Sequence, residues 1–305
     1  MPPVQTRISG HGKVNPYASA VYGEGEVILR LGNGGAGATG LLEALAYGYL
    51  ATLRVPASIS WVANHSRNTQ LALLQGHIDI ALTYERDQEA LAESEGWSVT
   101  KGCLFHDHFV IAGPRSDPAS IRGAGSPAEA LGRIARTRSL FHSRQDGSAT
   151  MYKEAKLWNQ NGLTPWSDAS DADWFKQSAV PPAEAVRKAD AVGAYLVTDR
   201  STLLRQTGLQ AISQTTVFFE PSNGDDELMN SCYGLCSPNT AGDQTSRPND
   251  FIDYLLSETG QSIVNSYGLR DCELPLFASI KEGFARTRLT GGYPRAGRWV
   301  MEASP

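Results

Sequence analysis

The feature that most constrains the fold of this sequence is a strand–turn–helix pattern that occurs twice in its first third. The apolar run VILRL, which begins at Val27, precedes a glycine-rich turn and the helical segment GLLEALAYGYLATL. The run SISWVA then precedes a polar turn and the helical segment NTQLALLQG, and a third apolar run, IDIALTY, follows. This alternation is typical of a parallel sheet with crossover helices. The sequence therefore predicts an α/β fold.

Composition limits what this fold can do. The chain has 305 residues, of which 41% are hydrophobic and 19% are charged, so it has room for two domains or lobes. Its net charge of -5 gives no electrostatic case for binding nucleic acid or an acidic membrane surface. No apolar run is long enough to span a bilayer, so no membrane insertion is expected. An anionic ligand must then be held locally, by a few well-placed groups.

Compartment and redox state are predicted from the N-terminus and the cysteines. The first 25 residues lack the apolar core of a signal peptide, so the chain as it stands is expected in the cytoplasm. It would be periplasmic or extracellular if a signal had been removed. The four cysteines (Cys103, Cys232, Cys236 and Cys272) form no CxxC pair and are too few for a disulfide framework. We expect buried free thiols, with one disulfide as the alternative.

The order of the predicted elements indicates two lobes with two crossings between them. The strand HFVIAGP would lead out of the first lobe and the strand CYGLCSP would lead back. We assign residues 26–110 and 232–280 to lobe I and residues 111–231 to lobe II, with a flexible segment at 1–25 and a basic tail at 281–305. In such a fold the ligand binds in the cleft between the lobes, where strands end and helices begin.

A turn in lobe II carries the strongest signal for anion binding. Arg144 and Ser148 stand between a short apolar strand and a helical pattern that begins at Ser148, and Thr150 follows. The N–H groups at a helix start are unpaired and attract anions, and a guanidinium adds charge-assisted hydrogen bonds. In the alternative interpretation Asp146 caps the helix and pairs with Arg144 at the surface.

Two turns in lobe I offer further candidates. Residues 32–37 match GxGxxG, the dinucleotide fingerprint, but the second strand ends in Ala63, Asn64 and His65 rather than in an acidic residue. A turn whose backbone N–H groups bind a small anion fits better, and a merely tight turn is the alternative. In the next turn Ser66 could donate its hydroxyl to an anion, or Asn68 or Thr69 could simply cap the helix.

Sequence motifs for catalysis and for metal binding are weak. His106 and His108 share a strand face but have no third ligand at a suitable spacing, so no metal site and no cofactor are expected. GxSxG, HExxH and a Walker lysine are absent, and no catalytic residue is assigned. If the protein were an enzyme, His65 and His142 would be its candidate general bases.

Several segments together resemble one family, the tungstate-binding (TupA-like) solute-binding proteins of ABC transporters. They run from about Val27 to Phe277 and include GLLEAL, HDHFVIAGPRSDPA, FHSRQDGSATMYKEAKLW, AYLVTDRSTLL, CYGLCSPN and FIDYLLSETGQSIVNSYG. The resemblance implies a two-lobed periplasmic-binding-protein fold with an interlobe cleft and a hinge. It also implies that one arginine, hydroxyls and backbone N–H groups bind an oxyanion.

Carried over residue by residue, the resemblance implies a binding arginine at Arg144 and hydroxyls at Thr150 and Ser66. The first turn departs from the family, because Gly32–Gly35 replaces a run of threonine and serine. Asn33 and backbone N–H groups could substitute there. The full predicted set of ligand-binding residues is Arg144, Thr150, Ser66, Ser148, Asn33, Gly34, Gly35 and Arg67.

The predicted function is the binding of a small tetrahedral oxyanion, like tungstate or molybdate, by a monomeric solute-binding protein or a stand-alone descendant of one. The partner of a secreted form would be an ABC transporter permease. One alternative is an enzyme that uses the same fold to act on a phosphorylated or carboxylated metabolite. A second is an intracellular sensor whose basic tail contacts a partner.

Overall fold

The computed structural model describes residues 5–242, 246–281 and 283. Its strands are β1 Ala20–Gly23, β2 Val27–Asn33, β3 Ser58–Ala63, β4 Ile80–Thr83, β5 Val99–Pro114, β6 Phe141–Ser143, β7 Phe175–Gln177, β8 Leu196–Asp199, β9 Thr215–Phe219 and β10 Met229–Cys236. Its α-helices are α1 Gly35–Ala38, α2 Leu41–Leu50, α3 Ser66–Leu74, α4 Arg86–Ser94, α5 Pro127–Thr137, α6 Ala149–Asn159, α7 Pro182–Val192, α8 Arg200–Gly208, α9 Pro238–Gly242, α10 Arg247–Leu256, α11 Glu258–Ser266 and α12 Leu269–Cys272. Apart from residues 281 and 283, the predicted basic tail lies outside the described residues.

The predicted parallel core of the first sheet is present. The strand order is β1-β3-β2-β4-β10-β5, and β2 runs parallel to both β3 and β4. Strand β10 lies between β4 and β5 and is antiparallel to both. Because β2 is central, its carboxyl end places the glycine-rich turn next to the turn that follows β3.

Strand β5 belongs to both lobes. Its first part, up to His108, pairs with β10, and from Phe109 onward it pairs with β8 and β9. The short parallel pair β6-β7 lies beside β8 through a bridge between Phe141 and Tyr195. The chain returns at Leu228, whose carbonyl accepts a hydrogen bond from the Phe109 N–H at 2.7 Å. The partner exchange lies two residues before the proposed lobe boundary at residue 110.

The hydrophobic core also crosses between the lobes. One cluster of buried residues joins Leu104 and Phe277, beside the first sheet, to residues of α7 and α8 such as Val186 and Leu203. A second cluster, around Phe141, Trp158, Trp174 and Phe175, fills lobe II. The rings of Phe141 and Phe175 are stacked with 5.6 Å between their centroids. These aromatic residues therefore pack the second lobe.

The prediction of a flexible segment at residues 1–25 is wrong for the part that the structure describes. Ile8 is buried in a third core cluster, and β1 adds an antiparallel edge strand to β3. Thr6 donates a hydrogen bond to Glu95 at 2.6 Å, and the Ser19 N–H donates to the Trp61 carbonyl at 2.7 Å. Residues 5–19, called the N-terminal strap below, are thus fixed along lobe I.

Two further observations concern the state of the cysteines and the length of the helices. All four cysteines are free thiols, and Cys232 and Cys236 are buried. No helix in residues 5–242 and 246–281 is long and apolar enough to cross a membrane.

Candidate functional site

A cavity of about 450 Å³ lies between the lobes. The strap, the two lobe I turns, the lobe II turn and the ends of the central strands each contribute side chains to it. Its charged and polar lining residues are His11, Lys13, Asn15, Asn64, His65, Ser66, Asn68, Tyr84, Asp107, Arg144, Ser148, Thr150, Asp199 and Asn230.

Arg144 is the most buried cation that lines the cavity, with 3% of its surface exposed. Its Nε and Nη2 donate to one oxygen of Asp146 at 2.9 and 2.6 Å, and Nη2 also donates to the Ser148 hydroxyl at 2.8 Å. Its Nη1 is buried and has no hydrogen-bond partner in residues 5–242 and 246–281. The guanidinium is therefore fixed on one side through Nε and Nη2, while Nη1 makes no hydrogen bond within the described residues.

The structure corrects the proposed role of Asp146. The N-cap of α6 is Ser148, whose hydroxyl accepts from the Met151 N–H, so the prediction of an Asp146 cap is wrong. Asp146 instead accepts from the Ser148 N–H at 3.1 Å and forms a buried ion pair with Arg144. Burial raises the pKa of Asp146, but Arg144, Ser148 and His65 lower it more, so the pKa lies below its ordinary value. Asp146 is ionised and holds Arg144.

Two hydroxyls face the cavity without a competing acceptor. Ser66 and Thr150 are both buried and line the cavity, and among the described residues neither hydroxyl has a hydrogen-bond partner. Ser66 is the first residue of α3, whose N-cap His65 makes no side-chain cap. Within the described part of the chain, the first N–H groups of α3 thus remain unpaired beside the Ser66 hydroxyl. The Ser148 hydroxyl, in contrast, is occupied by Arg144, Asp146 and Met151.

The glycine turn meets the prediction only in part. Gly34 and Gly35 line the cavity, whereas Asn33 is completely buried and does not. The Asn33 amide donates to the Leu82 carbonyl at 2.8 Å and accepts from the Gly37 N–H at 3.0 Å. The prediction of Asn33 as a ligand-binding residue is therefore wrong, because its side chain fastens β2 to β4 and to α1.

The contacts of the Arg67 side chain lie outside the cavity. It does not line the cavity; its Nε donates to Glu85 at 2.9 Å, and its guanidinium stacks 3.4 Å from the centroid of the Tyr152 ring. Arg67 lies on α3 of lobe I and Tyr152 on α6 of lobe II. These contacts give no support to the predicted anion contact of Arg67, which connects the two lobes.

The two candidate bases differ in position. His65 lines the cavity, and its Nε2 lies 3.9 Å from an oxygen of Asp146 on the other lobe. Burial lowers the pKa of His65 more than Asp146 raises it. His142 does not line the cavity; its Nε2 is 2.7 Å from the Ser178 hydroxyl, so the prediction of His142 as a base at the cleft is wrong. Within the described ranges no group of three His, Cys, Asp or Glu side chains could hold a metal ion.

Sequence analysis missed the acidic floor of the cavity. Asp107 accepts hydrogen bonds from the His108 N–H at 2.7 Å and from the Ser201 hydroxyl at 2.5 Å. Burial, and then the nearby charge of Asp199, raises the pKa of Asp107 to about 7. Asp199 is the N-cap of α8, and its side chain accepts from the Thr202 N–H at 2.9 Å. Nothing in the spacing of Asp107 and Asp199 signals that β5 and β8 place them side by side.

Two lobes that share a strand, with a polar cavity between them, define the class of two-lobed ligand-binding proteins. The family model of a PBP superfamily domain matches residues 20–259. The chain belongs to this superfamily, and the predicted resemblance to the TupA-like solute-binding proteins is confirmed.

Individual relatives are distant. A Haloferax volcanii protein, provisionally named an ABC transporter anion-binding protein, is 28% identical over 65% of this chain and 57% of its own length. The tungstate-binding protein TupA of Peptoclostridium acidaminophilum is 26% identical over 66% of this chain and 68% of its own length. The structure of the tungstate-binding protein TupA from Desulfovibrio alaskensis G20 matches with a TM-score of 0.68 and 24% identity, over 83% of this chain and 98% of that one. The chain thus spans little more than half the length of the Haloferax relative.

Proposed function

We propose that this protein binds a small tetrahedral oxyanion of the tungstate and molybdate class in the cleft between its lobes. The observation that carries the proposal is Arg144, a buried cation that lines the cavity and has one guanidinium nitrogen without a partner. A hydrogen bond from a charged donor contributes about 1.5–3 kcal/mol, roughly twice the value for a neutral pair. The names of the TupA relatives support the same ligand class.

The ligand would bind where groups from both lobes converge. Lobe II supplies Arg144, the Thr150 hydroxyl and the start of α6, and lobe I supplies the Ser66 hydroxyl and the start of α3. The carboxylate of Asp199, and that of Asp107 when it is ionised, disfavours an anion at the floor of the cavity, because like charges repel. We therefore place the oxyanion at the wall formed by Arg144, Ser66 and Thr150.

Such a site needs no covalent chemistry. We infer that the protein acts as a solute-binding protein, or as a stand-alone descendant of one, and that closure is a hinge motion at β5 and the return at Leu228. A secreted form would deliver its ligand to an ABC transporter permease, the system in which the Haloferax relative is placed by name.

Isothermal titration calorimetry with tungstate, molybdate, sulfate and phosphate tests the proposal. We expect saturable 1:1 binding of tungstate or molybdate, with sulfate and phosphate weaker. Each titration is repeated with a large excess of chloride, which separates specific binding from a general ionic effect. The absence of heat and of thermal stabilisation with all four anions at micromolar protein would contradict the proposal.

A further inference from the structure

The N-terminal strap passes over the cleft and is held there by two asparagines of lobe I. The Asn64 amide exchanges hydrogen bonds with the backbone of Asn15, and each of the two bonds measures 2.9 Å. The Asn68 amide does the same with the backbone of His11, at 2.9 and 2.7 Å. These paired bonds fix the strap on both sides of Lys13. Lys13 thus belongs to a short, anchored span, and it lines the cavity.

The strap also contacts lobe II. A Cβ atom added to Gly147 would lie 2.0 Å from the Cβ of His11, so the lobe II turn and the strap pack directly against each other. Gly147 stands between Asp146 and Ser148, the two residues that hold Arg144. The strap is therefore a third wall that joins both lobes at the mouth of the cavity.

The charges around the cavity give Lys13 a particular role. The positive charge of Arg144 is already compensated by Asp146, and Asp199, joined by Asp107 when that residue is ionised, adds negative charge at the floor. Lys13 forms no ion pair with any carboxylate of the described residues. Among these residues it is the cavity-lining lysine or arginine without an acidic partner.

We propose that Lys13 is a ligand-binding residue that supplies the uncompensated positive charge of the site and so selects doubly charged oxyanions over singly charged ones. This inference rests on the proposed function. Arg144 and the hydroxyls donate hydrogen bonds to any tetrahedral oxyanion. The charge of Lys13 distinguishes a dianion from a monoanion of the same shape, since the Coulomb energy scales with the ligand's charge.

Tungstate and perrhenate provide the test, because they are tetrahedral oxyanions of similar shape with charges of -2 and -1. Calorimetric titrations at low ionic strength compare the wild type with Lys13→Gln, Lys13→Arg and the control Lys176→Gln. Lys176 is an exposed lysine on β7, outside the cavity. We expect Lys13→Gln to weaken tungstate binding about tenfold and perrhenate binding by less than about threefold. Lys13→Arg retains tungstate affinity, and Lys176→Gln leaves both anions unchanged.

A second variant tests the position of the strap without touching a charged group. Gly147→Ala displaces the strap through the clash with His11, and we expect it to reduce the preference for tungstate over perrhenate as Lys13→Gln does. Melting temperatures of all variants confirm that they are folded.

The outcomes separate the two proposals. If the wild type binds tungstate and Lys13→Gln binds it with unchanged affinity, the proposed role of Lys13 is overturned. The proposed function then stays in place. An equal loss for tungstate and perrhenate also overturns it, because the lysine would then act on the shape of the site and not through charge. If wild type binds neither anion, the proposed function and this inference fail together.

Discussion

Arg144 combines two requirements that normally conflict. A buried guanidinium needs an acidic partner, because an isolated buried charge is costly. A ligand-binding guanidinium needs a free donor. The residue meets both, because Nε and Nη2 are bound by Asp146 and Ser148, while Nη1 has no partner in the part of the chain that the structure describes. The planar fork of arginine makes this division possible, and lysine could not reproduce it.

We expect Arg144→Gln to weaken oxyanion binding about 10- to 100-fold, which corresponds to the loss of one or two charge-assisted hydrogen bonds. The matched control is Arg138→Gln, since Arg138 forms surface ion pairs with Asp171 and Asp173 in the same lobe. Titration calorimetry measures the affinities. Equal affinities of the two variants would contradict the assigned role of Arg144.

The glycine-rich turn is explained by packing at Gly37. A Cβ atom at Gly37 would lie 2.1 Å from the indole of Trp61, which is itself fixed by a hydrogen bond from its Nε1 to the Asn33 carbonyl. At Gly35, in contrast, an added Cβ meets nothing within 4 Å. The motif that matches a dinucleotide fingerprint is therefore required, at least at Gly37, by the close approach of an indole.

Gly37→Ala is accordingly expected to lower the free energy of unfolding by about 1–3 kcal/mol, the usual cost of overpacking a core. Gly35→Ala should leave it unchanged or raise it slightly, because alanine favours the helical conformation. Urea denaturation curves of both variants provide the comparison. The interpretation is wrong if Gly37→Ala is as stable as Gly35→Ala.

The sequence predicted which turns meet at the cavity better than which side chains face it. Arg144, Ser66, Thr150, Gly34 and Gly35 were named from the turns, and all line the cavity. The directions of other side chains depend on partners that are distant in sequence. The amide of Asn33 points to the Leu82 carbonyl, and the guanidinium of Arg67 lies between Glu85 and Tyr152. The local sequence pattern does not predict either of these contacts.

Helices and strands followed their patterns closely where the pattern was strong. Strand β3 has the bounds predicted from SISWVA, and Ser126 caps α5 by accepting from the Glu129 N–H. Strand β5 is longer than expected and starts at Val99, because its first part is held by β10, more than 120 residues later. Pairing with a distant strand extends an element beyond its own apolar run.

Helices α3 and α6 are connected across the cleft by Arg67 and Tyr152. Tyr152→Leu removes the ring and about 0.5–2 kcal/mol of cation–π attraction, so it should shift the ligand-free protein several-fold toward an open arrangement. Tyr152→Phe keeps the ring and serves as the control. Small-angle X-ray scattering should show a larger radius of gyration for the leucine variant only. Identical scattering of the two variants would show that this contact does not hold the lobes together.

The junction of β5 and α8 gives a pH-dependent prediction. The pKa of Asp107 is raised by burial to about 7, above its value of about 3.9 in the unfolded chain. A raised pKa stabilises the fold fully below pH 4, and this contribution is lost as pH rises through 7. Asparagine mimics the protonated acid: its oxygen accepts from the His108 and Ser201 N–H groups, and its amide donates to the Ser201 hydroxyl.

Asp107→Asn should therefore be more stable than wild type at pH 8, by on the order of 2 kcal/mol, while the difference shrinks or reverses at pH 4. Thermal unfolding followed by circular dichroism at both pH values measures this. Asp190→Asn is a suitable control, because Asp190 accepts from the N–H groups of Ser213 and Gln214 outside the cavity. A stability difference between Asp107→Asn and wild type that is the same at pH 4 and pH 8 would contradict the raised pKa of Asp107.

The two lobes share structure far beyond their hinge. The largest core cluster contains residues of α7 and α8 together with Leu104, Phe277 and other residues beside the first sheet. Neither lobe can expose its part of this cluster without disturbing the other. The molecule is thus expected to behave as one cooperative unit despite its two-lobed architecture.

Differential scanning calorimetry should show a single transition whose calorimetric and van't Hoff enthalpies agree. Addition of a bound oxyanion should move the whole transition upward, by an amount that grows with the logarithm of ligand concentration. Two resolved transitions, of which the ligand moves one, would mean that the lobes unfold separately.

The position of β10 has a consequence for synthesis of the chain. Strands β4 and β5 end at residues 83 and 114, but the strand that lies between them is complete only at residue 236. A growing chain therefore carries two unpaired strand edges while more than 100 further residues are made. Such edges invite pairing with other chains, and long-range closure is slow. Lobe II must emerge from the ribosome before lobe I can finish folding. Until β10 inserts, the unpaired edges of β4 and β5 must be protected by chaperones or by rapid completion of the fold.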